Sequence, residues 1–368
     1  MSNENTNADY KLLGYFVIWL VFGLIMLTSA SSPVGHERFG DSYFFIKRQL
    51  LLGVLPGTIL FFLLAKFDYH KLKNYATIIY GGVLVLLILV FIPGIGSTYG
   101  TNSHSWINIF GNSFQPAEVA KLALIIFMSA YLVKIGQGIR DLKHGFLLAL
   151  GVGMIPIVLI ILQPDIGTMS IMFSILFAML FVAGAKWPHI LGLAGVGVAG
   201  LVAMVVAAPY RAARLMTFLH PELDPQGVGY HINQAFLAVG SGGILGRGLG
   251  HSLQKFQYLP EVHSDSIFAV FAEEMGLLFA VGLVVLIVLI IARGFVLAKN
   301  APDQFGRLLA SGIIIWFALQ SFLNIGAIVG LLPLTGVPLP FVSHGGTALM
   351  ISMAAVGILI NISKYAKT

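Results

Sequence analysis

Residues 308–363 form a run of 56 residues without a single Asp, Glu, Lys or Arg. Because a transmembrane helix needs about 20 predominantly apolar residues, this run is long enough for two membrane crossings and the turn between them. The proline-rich stretch 332–341 (LPLTGVPLPF) indicates where that turn lies. This feature predicts an all-α polytopic membrane protein.

Composition excludes most other classes of protein. The 368 residues are 58% hydrophobic and 10% charged, with a mean hydropathy of +0.91, whereas soluble domains carry about 25% charged residues. A soluble enzyme, a disordered chain and a fibrous protein are therefore excluded, and the unbroken apolar runs disfavour a porin-type barrel, whose strands alternate. Because cysteine is absent, a disulfide framework, a cysteine-based metal site and a thiol nucleophile are excluded too.

Ten apolar segments predict ten membrane-spanning helices in a single integral-membrane domain that covers residues 1–368. The segments lie at roughly 12–30, 48–65, 75–92, 117–133, 146–163, 168–184, 189–208, 266–291, 308–332 and 346–363. Short tails remain at 1–11 and 364–368, and the largest loop, 209–265, joins the seventh and eighth spans.

The distribution of basic residues predicts the orientation in the membrane. With ten spans both termini share one side, which carries 13 of the 21 basic residues but only 5 of the 15 acidic ones. Since cytoplasmic loops are enriched in Lys and Arg, both termini are expected in the cytoplasm. The longer loops 31–47, 93–116 and 209–265 are then extracytoplasmic. The net charge of +6 reflects basic inner loops at the lipid surface, so no nucleic-acid partner is expected.

Ionisable residues near the outer membrane boundary are functional candidates, because a charge at that depth is costly unless it is paired or hydrated. Their mixture suits an anionic substrate carried on a lipid. Cations and glycine N–H groups would hold phosphate, and a carboxylate would accept a proton from an attacking hydroxyl. The candidates are Arg48, Glu118, Lys121, Asp165, Arg211, Arg214, Lys255, Glu261, His263, Asp265, Glu273 and Glu274.

Several of these residues also have a purely structural interpretation. Asp265 directly precedes the eighth apolar segment and Asp165 the sixth, so each is placed to cap a helix. Glu118 and Lys121 are three residues apart on one predicted helix and can simply pair with each other. At this point the structural and functional interpretations both stay open.

Three further features of the outer region are ambiguous. Glu273 and Glu274 lie deep enough in the eighth span to need a buried partner, which an ion pair would supply. The six glycines of 240–250 (GSGGILGRGLG) match no nucleotide-binding loop and can form a bent connector. His263 and Asp265 are half of a metal site at most, and two ligands are weak evidence.

Five long stretches carry specific motifs. They are QPDIGT (163–168), PYRAARLMTF (209–218), DPQGVGYHINQ (224–234), GLGHSLQKFQYLPEVHSDSIFAVFAEEMG (248–276) and PLTGVPLPFVSHGGTAL (333–349). In these stretches, and over essentially the whole chain, the sequence resembles the SEDS family of bacterial cell-wall proteins, which includes FtsW, RodA and SpoVE. The second and fourth stretches are more similar to the FtsW branch.

The resemblance implies a peptidoglycan glycosyltransferase of the bacterial plasma membrane. Such an enzyme polymerises lipid II, an undecaprenyl-pyrophosphate-linked disaccharide peptide, with the active site on the extracytoplasmic face. The FtsW-like motifs imply septal wall synthesis during cell division. Expected partners are a class B penicillin-binding protein transpeptidase and other membrane proteins of the division complex. A divalent cation, Mg²⁺ or Mn²⁺, is a possible cofactor.

The resemblance also assigns roles to individual residues. Asp265 matches the essential aspartate of the family and would act as the general base. Other positions match motifs beside the family's cavity or carry suitable charge. The expected substrate-binding residues are Arg48, Trp106, Glu118, Lys121, Asp165, Arg211, Arg214, Lys255 and His263.

The chain departs from the family pattern at three positions near these motifs. Ser264 and Ser266 stand where Thr and Phe are usual, and His344 stands where Tyr is usual. None of these changes removes the expected base, but they are expected to affect acceptor fit or the response to pH.

Two other functions remain open from the sequence. A lipid II flippase would move the same substrate without forming a bond, and a polar path through both leaflets would be expected of it. A scaffold would recruit other wall enzymes and need no chemistry of its own. The crowding of candidate acids on one face favours the polymerase.

Overall fold

The computed structural model describes residues 8–98, 105–109, 111–206, 216–221, 224 and 227–366. Within these ranges eleven helices of 14 residues or more account for most of the chain. They are α1 Tyr10–Phe39, α2 Phe44–Lys66, α3 Tyr69–Leu89, α4 Pro116–Ile135, α5 Leu142–Leu162, α6 Ile166–Val182, α7 Trp187–Val206, α8 Val228–Ser241, α9 Ile267–Asn300, α10 Gln304–Ile328 and α11 Gly346–Ser363.

The helices confirm the predicted fold class. Eight of them are long and apolar enough to cross a membrane, and α6 and α7 are shorter apolar helices. Each of the ten predicted segments coincides with one of these ten, while α8 lies inside the predicted loop 209–265. A small antiparallel sheet, β1 Gly96–Ser97, β2 Trp106–Ile109 and β3 Asn112–Phe114, precedes α4.

The first helix is longer than the sequence predicted. We expected a loop from residue 31, but α1 continues through Pro33 to Phe39, so that 30 residues span about 45 Å. It ends where Gly40 adopts a left-handed conformation (φ 68°) and its N–H bonds back to the carbonyls of Gly35 and His36. The C-terminal end of α1 therefore contributes helical side chains to the region where the site was predicted.

Close helix packing depends on small residues. Gly57 of α2 lies against α11, where an added Cβ would come within 2.7 Å of the Met353 sulfur and 3.2 Å of Met350 Cα. Across the same contact, Gly357 of α11 leaves room for the Phe61 carbonyl. Glycines on both helices let the two backbones approach, as is typical of membrane bundles.

Helix α9 is broken at Gly276, which has φ 76° and ψ 179°. The glycine-rich segment 240–250 fills this break. Leu277 and Leu278 donate their N–H groups to the carbonyls of Gly243 and Ile244, at 2.9 and 3.2 Å. The carbonyls of Glu273 and Glu274, which those N–H groups would bond in an unbroken helix, accept instead from Arg247 and Gly248.

The glycine run is thus a structural element. Its backbone forms hydrogen bonds with the N–H and carbonyl groups that the break in α9 leaves without a partner in the helix. The backbone approaches so closely that a Cβ on Gly276 would lie 2.2 Å from the Gly246 nitrogen. The connector interpretation is confirmed, with a more specific role than the sequence indicated.

Candidate active site

Asp265 lies at the junction of the long loop and α9. The N-cap of α9 is Ser266, and no side chain caps the helix there, so the interpretation of Asp265 as the cap residue is wrong. The side chain is half-buried. Burial and the negative charge of nearby Glu261 raise the pKa of Asp265 to about 7, although hydrogen bonds from Ser266 act in the opposite direction. A carboxyl with a pKa near 7 is suited to general base catalysis at neutral pH.

The loop between α10 and α11, residues 329–345, lies directly beside this carboxyl. Gly336 has φ 70°, and an added Cβ would lie 3.8 Å from Asp265 Oδ2. On α10, the Asn324 amide donates at 2.8 Å to the carbonyls of both Asp265 and Val337. One buried amide therefore fixes the backbone of Asp265 against the 329–345 loop.

Two more bonds join the 329–345 loop to the residues before Asp265. The Ser343 hydroxyl donates to the Ser264 carbonyl at 2.6 Å, and the His344 N–H donates to the His263 carbonyl at 2.8 Å. Leu339 in turn donates its N–H to the Ser343 hydroxyl at 2.8 Å. The backbone carbonyls of all three residues 263–265 therefore accept a hydrogen bond.

Glu118 and Lys121 form the ion pair that their spacing predicted. Lys121 Nζ donates to Glu118 Oε1 and to Gln320 Oε1, each at 2.8 Å, and both charged side chains are almost fully buried. Trp316 also donates to the Gln320 oxygen, and Gln320 donates to the Pro338 carbonyl at 2.8 Å. This network connects α4 and α10 to the 329–345 loop, and a role in binding substrate stays a prediction.

Asp165 caps α6, as its position before the sixth apolar segment predicted. Its carboxylate accepts from the Thr168 N–H at 3.0 Å and from the Thr168 hydroxyl at 2.9 Å. Next to it, a Cβ on Gly167 would lie 2.7 Å from the Thr335 carbonyl. The capped end of α6 therefore packs against the 329–345 loop, and contact with substrate remains a prediction for Asp165.

Arg48 extends from α2 to the small sheet. Its guanidinium donates to Asn112 Oδ1 of β3 at 2.8 Å, and Trp106 lies on the neighbouring strand β2. The next residue, Gln49, is buried and bonds the Ser343 carbonyl and the Gly345 N–H. Arg48 is half-buried, so it is the predicted cation that the described structure leaves most available beside the 329–345 loop.

Lys255 takes part in a buried structural contact. Its ammonium donates to Glu274 Oε1 at 2.7 Å, to the Gly250 carbonyl at 2.7 Å and to the Ser29 hydroxyl at 3.1 Å. These three contacts use all three donors of the group. Lys255 thus fastens the long loop to α1 and α9. The ion pair expected for Glu274 is confirmed, whereas these contacts give no support to substrate binding by Lys255.

Glu273 is held by the same segment. Its carboxylate accepts from the Ser252 hydroxyl at 2.5 Å and from the N–H groups of Leu253 and Gln254 at 3.1 and 3.2 Å. Glu273 and Glu274 therefore anchor residues 250–255 by accepting hydrogen bonds inside the protein. These hydrogen bonds compensate both carboxylates for the loss of water, so no contact with substrate is needed to explain why they are buried.

His263 and His344 lie against the ring of Phe45, with centroid distances of 4.3 and 5.1 Å. Burial lowers the pKa of His263 below its ordinary value. Burial, His263 and Arg48 together lower the pKa of His344 to about 3. Both imidazoles are therefore neutral at pH 7, and no charge is contributed by this pair beside Asp265.

Two adjoining cavities extend from His263 along the C-terminal half of α1. Both are lined by Glu37 and Gln257. The one nearer Asp265, about 520 Å³, is also lined by Val34, Arg38, Leu259, Pro260, Glu261, Val262 and His263. The larger one, about 1010 Å³, is also lined by Ile25, Thr28, Ser29, Ser32, Pro33, His36, Ser42, Tyr43, Leu249, Gly250, Lys255 and Phe256.

Four of the described candidates lie at helix ends that alternating crossings place on one side of the bundle. Glu118 and Asp165 are at the first turns of α4 and α6, Asp265 precedes α9, and Arg48 is in the first turns of α2. Arg211 and Arg214 fall outside the residues that the structure describes. Sequence reasoning missed Gln49, Gln320 and Asn324; their only signal was an amide side chain within or beside an apolar segment.

The described residues around Asp265 do not form a complete set of protein ligands for a metal ion. In the described part of the chain, no three His, Asp or Glu side chains lie close enough together to hold an ion. Glu261 and His263 are the nearest acidic and imidazole groups in sequence, and their side chains approach each other only to 3.9 Å. We therefore assign no chemical step to the divalent cation that the resemblance left open.

Comparison with known proteins identifies the family. The family model for FtsW, RodA and SpoVE, described as cell cycle protein, matches residues 10–368. Stage V sporulation protein E of Bacillus subtilis is 40% identical over 367 residues, which cover 100% of each chain. The probable peptidoglycan glycosyltransferase FtsW of Geobacter sp. (strain M18) is 40% identical over 358 residues, or 96% of each chain.

Solved structures agree with these relatives. One chain from a peptidoglycan synthase complex that coordinates polymerization and crosslinking has a TM-score of 0.79 and 28% identity, covering 97% of both chains. The rod shape determining protein RodA of Thermus thermophilus has a TM-score of 0.70 and 27% identity, covering 98% of both. By its sequence and its fold, the chain belongs to the FtsW, RodA and SpoVE family of cell cycle proteins, the SEDS family.

Proposed function

We propose that the protein is a peptidoglycan glycosyltransferase that joins lipid II disaccharide units into β-1,4 glycan strands and releases undecaprenyl pyrophosphate. The observation that carries this proposal is the half-buried Asp265 carboxyl, whose pKa is raised to about 7 and which caps no helix. The names of relatives at 37–40% identity, peptidoglycan glycosyltransferase FtsW, support the same activity. Septal synthesis during cell division is the setting that FtsW similarity favours.

The proposed chemistry is a single displacement. Asp265 accepts the proton from the 4-hydroxyl of the acceptor N-acetylglucosamine as that oxygen attacks the anomeric carbon of the donor N-acetylmuramic acid. The bond between this carbon and the diphosphate oxygen breaks, which inverts an α linkage to β. A positioned general base contributes roughly 10²–10⁴-fold to a rate. The diphosphate leaves as a stabilised anion, so no strong general acid is required.

Cationic side chains would stabilise the charge that develops on the departing diphosphate. Arg48 is suited to this role because it is half-buried and lies beside the 329–345 loop. Arg211 and Arg214 are proposed for the same role from sequence alone. Lys121 is buried with Glu118 and Gln320, so we propose that it positions the loop that flanks Asp265.

The cavities along α1 are proposed to admit the lipid-linked substrate. The larger cavity combines exposed apolar side chains, among them Ile25, Leu249 and Phe256, with hydroxyl groups of Thr28 and Ser32. Apolar side chains suit a lipid tail, and hydroxyl groups suit sugars. The adjoining cavity reaches His263, two residues from the proposed base.

The proposed setting is the bacterial plasma membrane, with both termini in the cytoplasm and Asp265 on the extracytoplasmic face. The charge count supports this orientation. A class B penicillin-binding protein is the proposed partner, because a structural neighbour belongs to a synthase complex that also performs crosslinking. Other membrane proteins of the division complex are expected alongside it.

Purified protein and lipid II test the proposal directly. We expect the wild type to form glycan polymer on a gel, alone or with its transpeptidase, and Asp265→Asn to form none while remaining folded. A flippase would scramble labelled lipid II across vesicle leaflets without polymer. For a pure scaffold, Asp265→Asn would support cell growth in place of the wild type. A parallel reaction with a chelator tests whether a divalent cation is needed.

A further inference from the structure

The Ser266 hydroxyl links two titratable side chains, at a position where the resemblance leads us to expect phenylalanine. Ser266 Oγ lies 2.6 Å from His231 Nε2 and 3.5 Å from Asp265 Oδ1. Ser266 itself is fully buried. His231 belongs to α8, the helix within the long loop, and is half-buried. A phenylalanine at position 266 has no group that can make either contact.

A general base must lose its proton before each new cycle of sugar addition, and this proton needs an acceptor. Burial lowers the pKa of both His263 and His344, so neither imidazole readily holds a proton at neutral pH. Glu261 is the acidic group that acts on Asp265 through its charge. Among the described contacts, a hydroxyl connects only one imidazole, that of His231, to Asp265.

We infer that Ser266 and His231 form a proton relay that carries the proton away from Asp265 after each sugar transfer. This inference rests on the proposed function. When protonated Asp265 donates to Ser266 Oγ, Ser266 gives its own proton to His231 Nε2. One O–H bond forms and one breaks at Ser266, and Asp265 returns to carboxylate. The imidazolium of His231 then releases a proton to water, and exchange with water returns the ring to the tautomer whose Nε2 can accept the next proton. His231 and Ser266 are positioning and proton-transfer residues that do not touch the sugar.

The relay also predicts an effect on the base itself. In the resting state the Ser266 hydroxyl donates to Asp265, which stabilises the carboxylate and lowers its pKa. Removing the hydroxyl therefore raises the pKa of Asp265, and the acid limb of the pH–rate profile moves to higher pH. Glu261, His263 and His344, which also lie near Asp265, stay unchanged in the test variants.

The test uses the full-length protein with any transpeptidase partner it needs, and lipid II as substrate. Steady-state polymerisation is measured from pH 5.5 to 9 for the wild type, Ser266→Ala, His231→Ala and His231→Gln. Each is measured with and without added imidazole and in H₂O and D₂O. Ser241→Ala is the matched control, because Ser241 lies on the same helix as His231 and its hydroxyl donates to the Ala238 carbonyl of that helix. Size-exclusion profiles confirm that every variant is folded.

We expect Ser266→Ala and His231→Ala each to slow turnover by about tenfold, less than the roughly 10²–10⁴-fold loss of a group that exchanges a proton with the reacting atoms themselves. Imidazole should restore part of the rate of His231→Ala but not of Ser266→Ala, which lacks the bridging hydroxyl. His231→Gln, which can donate a hydrogen bond but cannot take up a proton, should stay slow and show an altered solvent isotope effect. In the pH–rate profile of Ser266→Ala, the acid limb should move to higher pH by about half a unit.

The relay is wrong if Ser266→Ala keeps the wild-type rate, pH profile and isotope effect. It is equally overturned if His231→Ala is slow but imidazole has no effect, or if His231→Gln turns over as fast as the wild type. Loss of fold in Ser266→Ala leaves the His231 variants to decide. A wild-type protein that forms no glycan overturns the proposed function together with the relay, whereas the variant results overturn the relay alone.

Discussion

The Lys255 ammonium and the Glu274 carboxylate meet at 2.7 Å inside the protein, where the two side chains are 4% and 0% exposed. Removing one partner of a buried pair leaves an uncompensated charge. Lys255→Met should therefore reduce the free energy of unfolding by about 3–5 kcal/mol, measured as loss of thermal stability in detergent.

The matched control for this prediction is Lys47→Met. Lys47 pairs with Asp41 at the same 2.7 Å, but its side chain is 62% exposed. An exposed pair contributes about 0–1 kcal/mol, so this variant should be nearly as stable as the wild type. Equal losses of stability in the two variants would contradict the structural role of the buried pair.

Asp265 and Asp165 provide a second comparison, since the sequence placed each of them to cap a helix but only Asp165 caps one. Asp265→Asn should abolish glycan formation from lipid II, a loss of roughly 10²–10⁴-fold, and leave thermal stability unchanged. Asp165→Ala should lower the free energy of unfolding by about 0.5–2 kcal/mol through loss of the cap. Substantial polymer from purified Asp265→Asn would remove the residue from the proposed role.

The pH dependence of polymerisation should follow the ionisation of Asp265. Only the carboxylate can accept a proton, and its pKa is raised to about 7. The rate should therefore fall about tenfold per pH unit below about pH 7 and level off above it. A profile that stays flat down to pH 5 would show that no group with this pKa controls the reaction.

Glu261→Gln should move the acid limb of that profile to lower pH. The Glu261 charge raises the pKa of Asp265, so neutralising it makes the carboxylate easier to form. Glu261 is 56% exposed, and solvent screening should keep the shift below about one pH unit. Glu37→Gln changes an acidic group of the same cavity that is not among the causes of the shift, and it should leave the profile in place.

Gly276→Ala should destabilise the protein strongly. The position has φ 76°, and a Cβ there would lie 2.2 Å from the Gly246 nitrogen and 2.6 Å from the Ile244 carbonyl. Gly282→Ala in the same helix meets open space and should be neutral or slightly stabilising, since alanine favours helix by about 1 kcal/mol. Thermal denaturation of the two variants separates backbone strain from a general effect of substitution.

The ten apolar segments were predictable because apolar length alone decides whether a helix can cross a bilayer. The Glu118–Lys121 pair and the Asp165 cap were also predictable, because both contacts are local in sequence. The cap assigned to Asp265 was wrong because α9 begins one residue later, with Ser266 in the N-cap position. Such a shift by one residue is the ordinary uncertainty of a helix boundary.

Contacts between distant segments could not be predicted. Asn324 and Gln320 lie in a charge-free apolar run, and nothing in that run indicates that their amides contact Asp265 and Lys121. Lys255 has the positive charge expected of a phosphate ligand. Only the folded structure shows that its ammonium contacts Glu274 and Ser29 instead. Charge type thus identified the candidates, but tertiary contacts determine which of them remain free to meet a substrate.

The way in which residues 240–250 complete the broken helix α9 limits how this protein can be recombined with its relatives. A chimera joined anywhere between Gly243 and Leu278 would separate donors from acceptors that satisfy one another across the break. A chimera that exchanges the long loop should therefore take the first turns of α9 from the same parent protein.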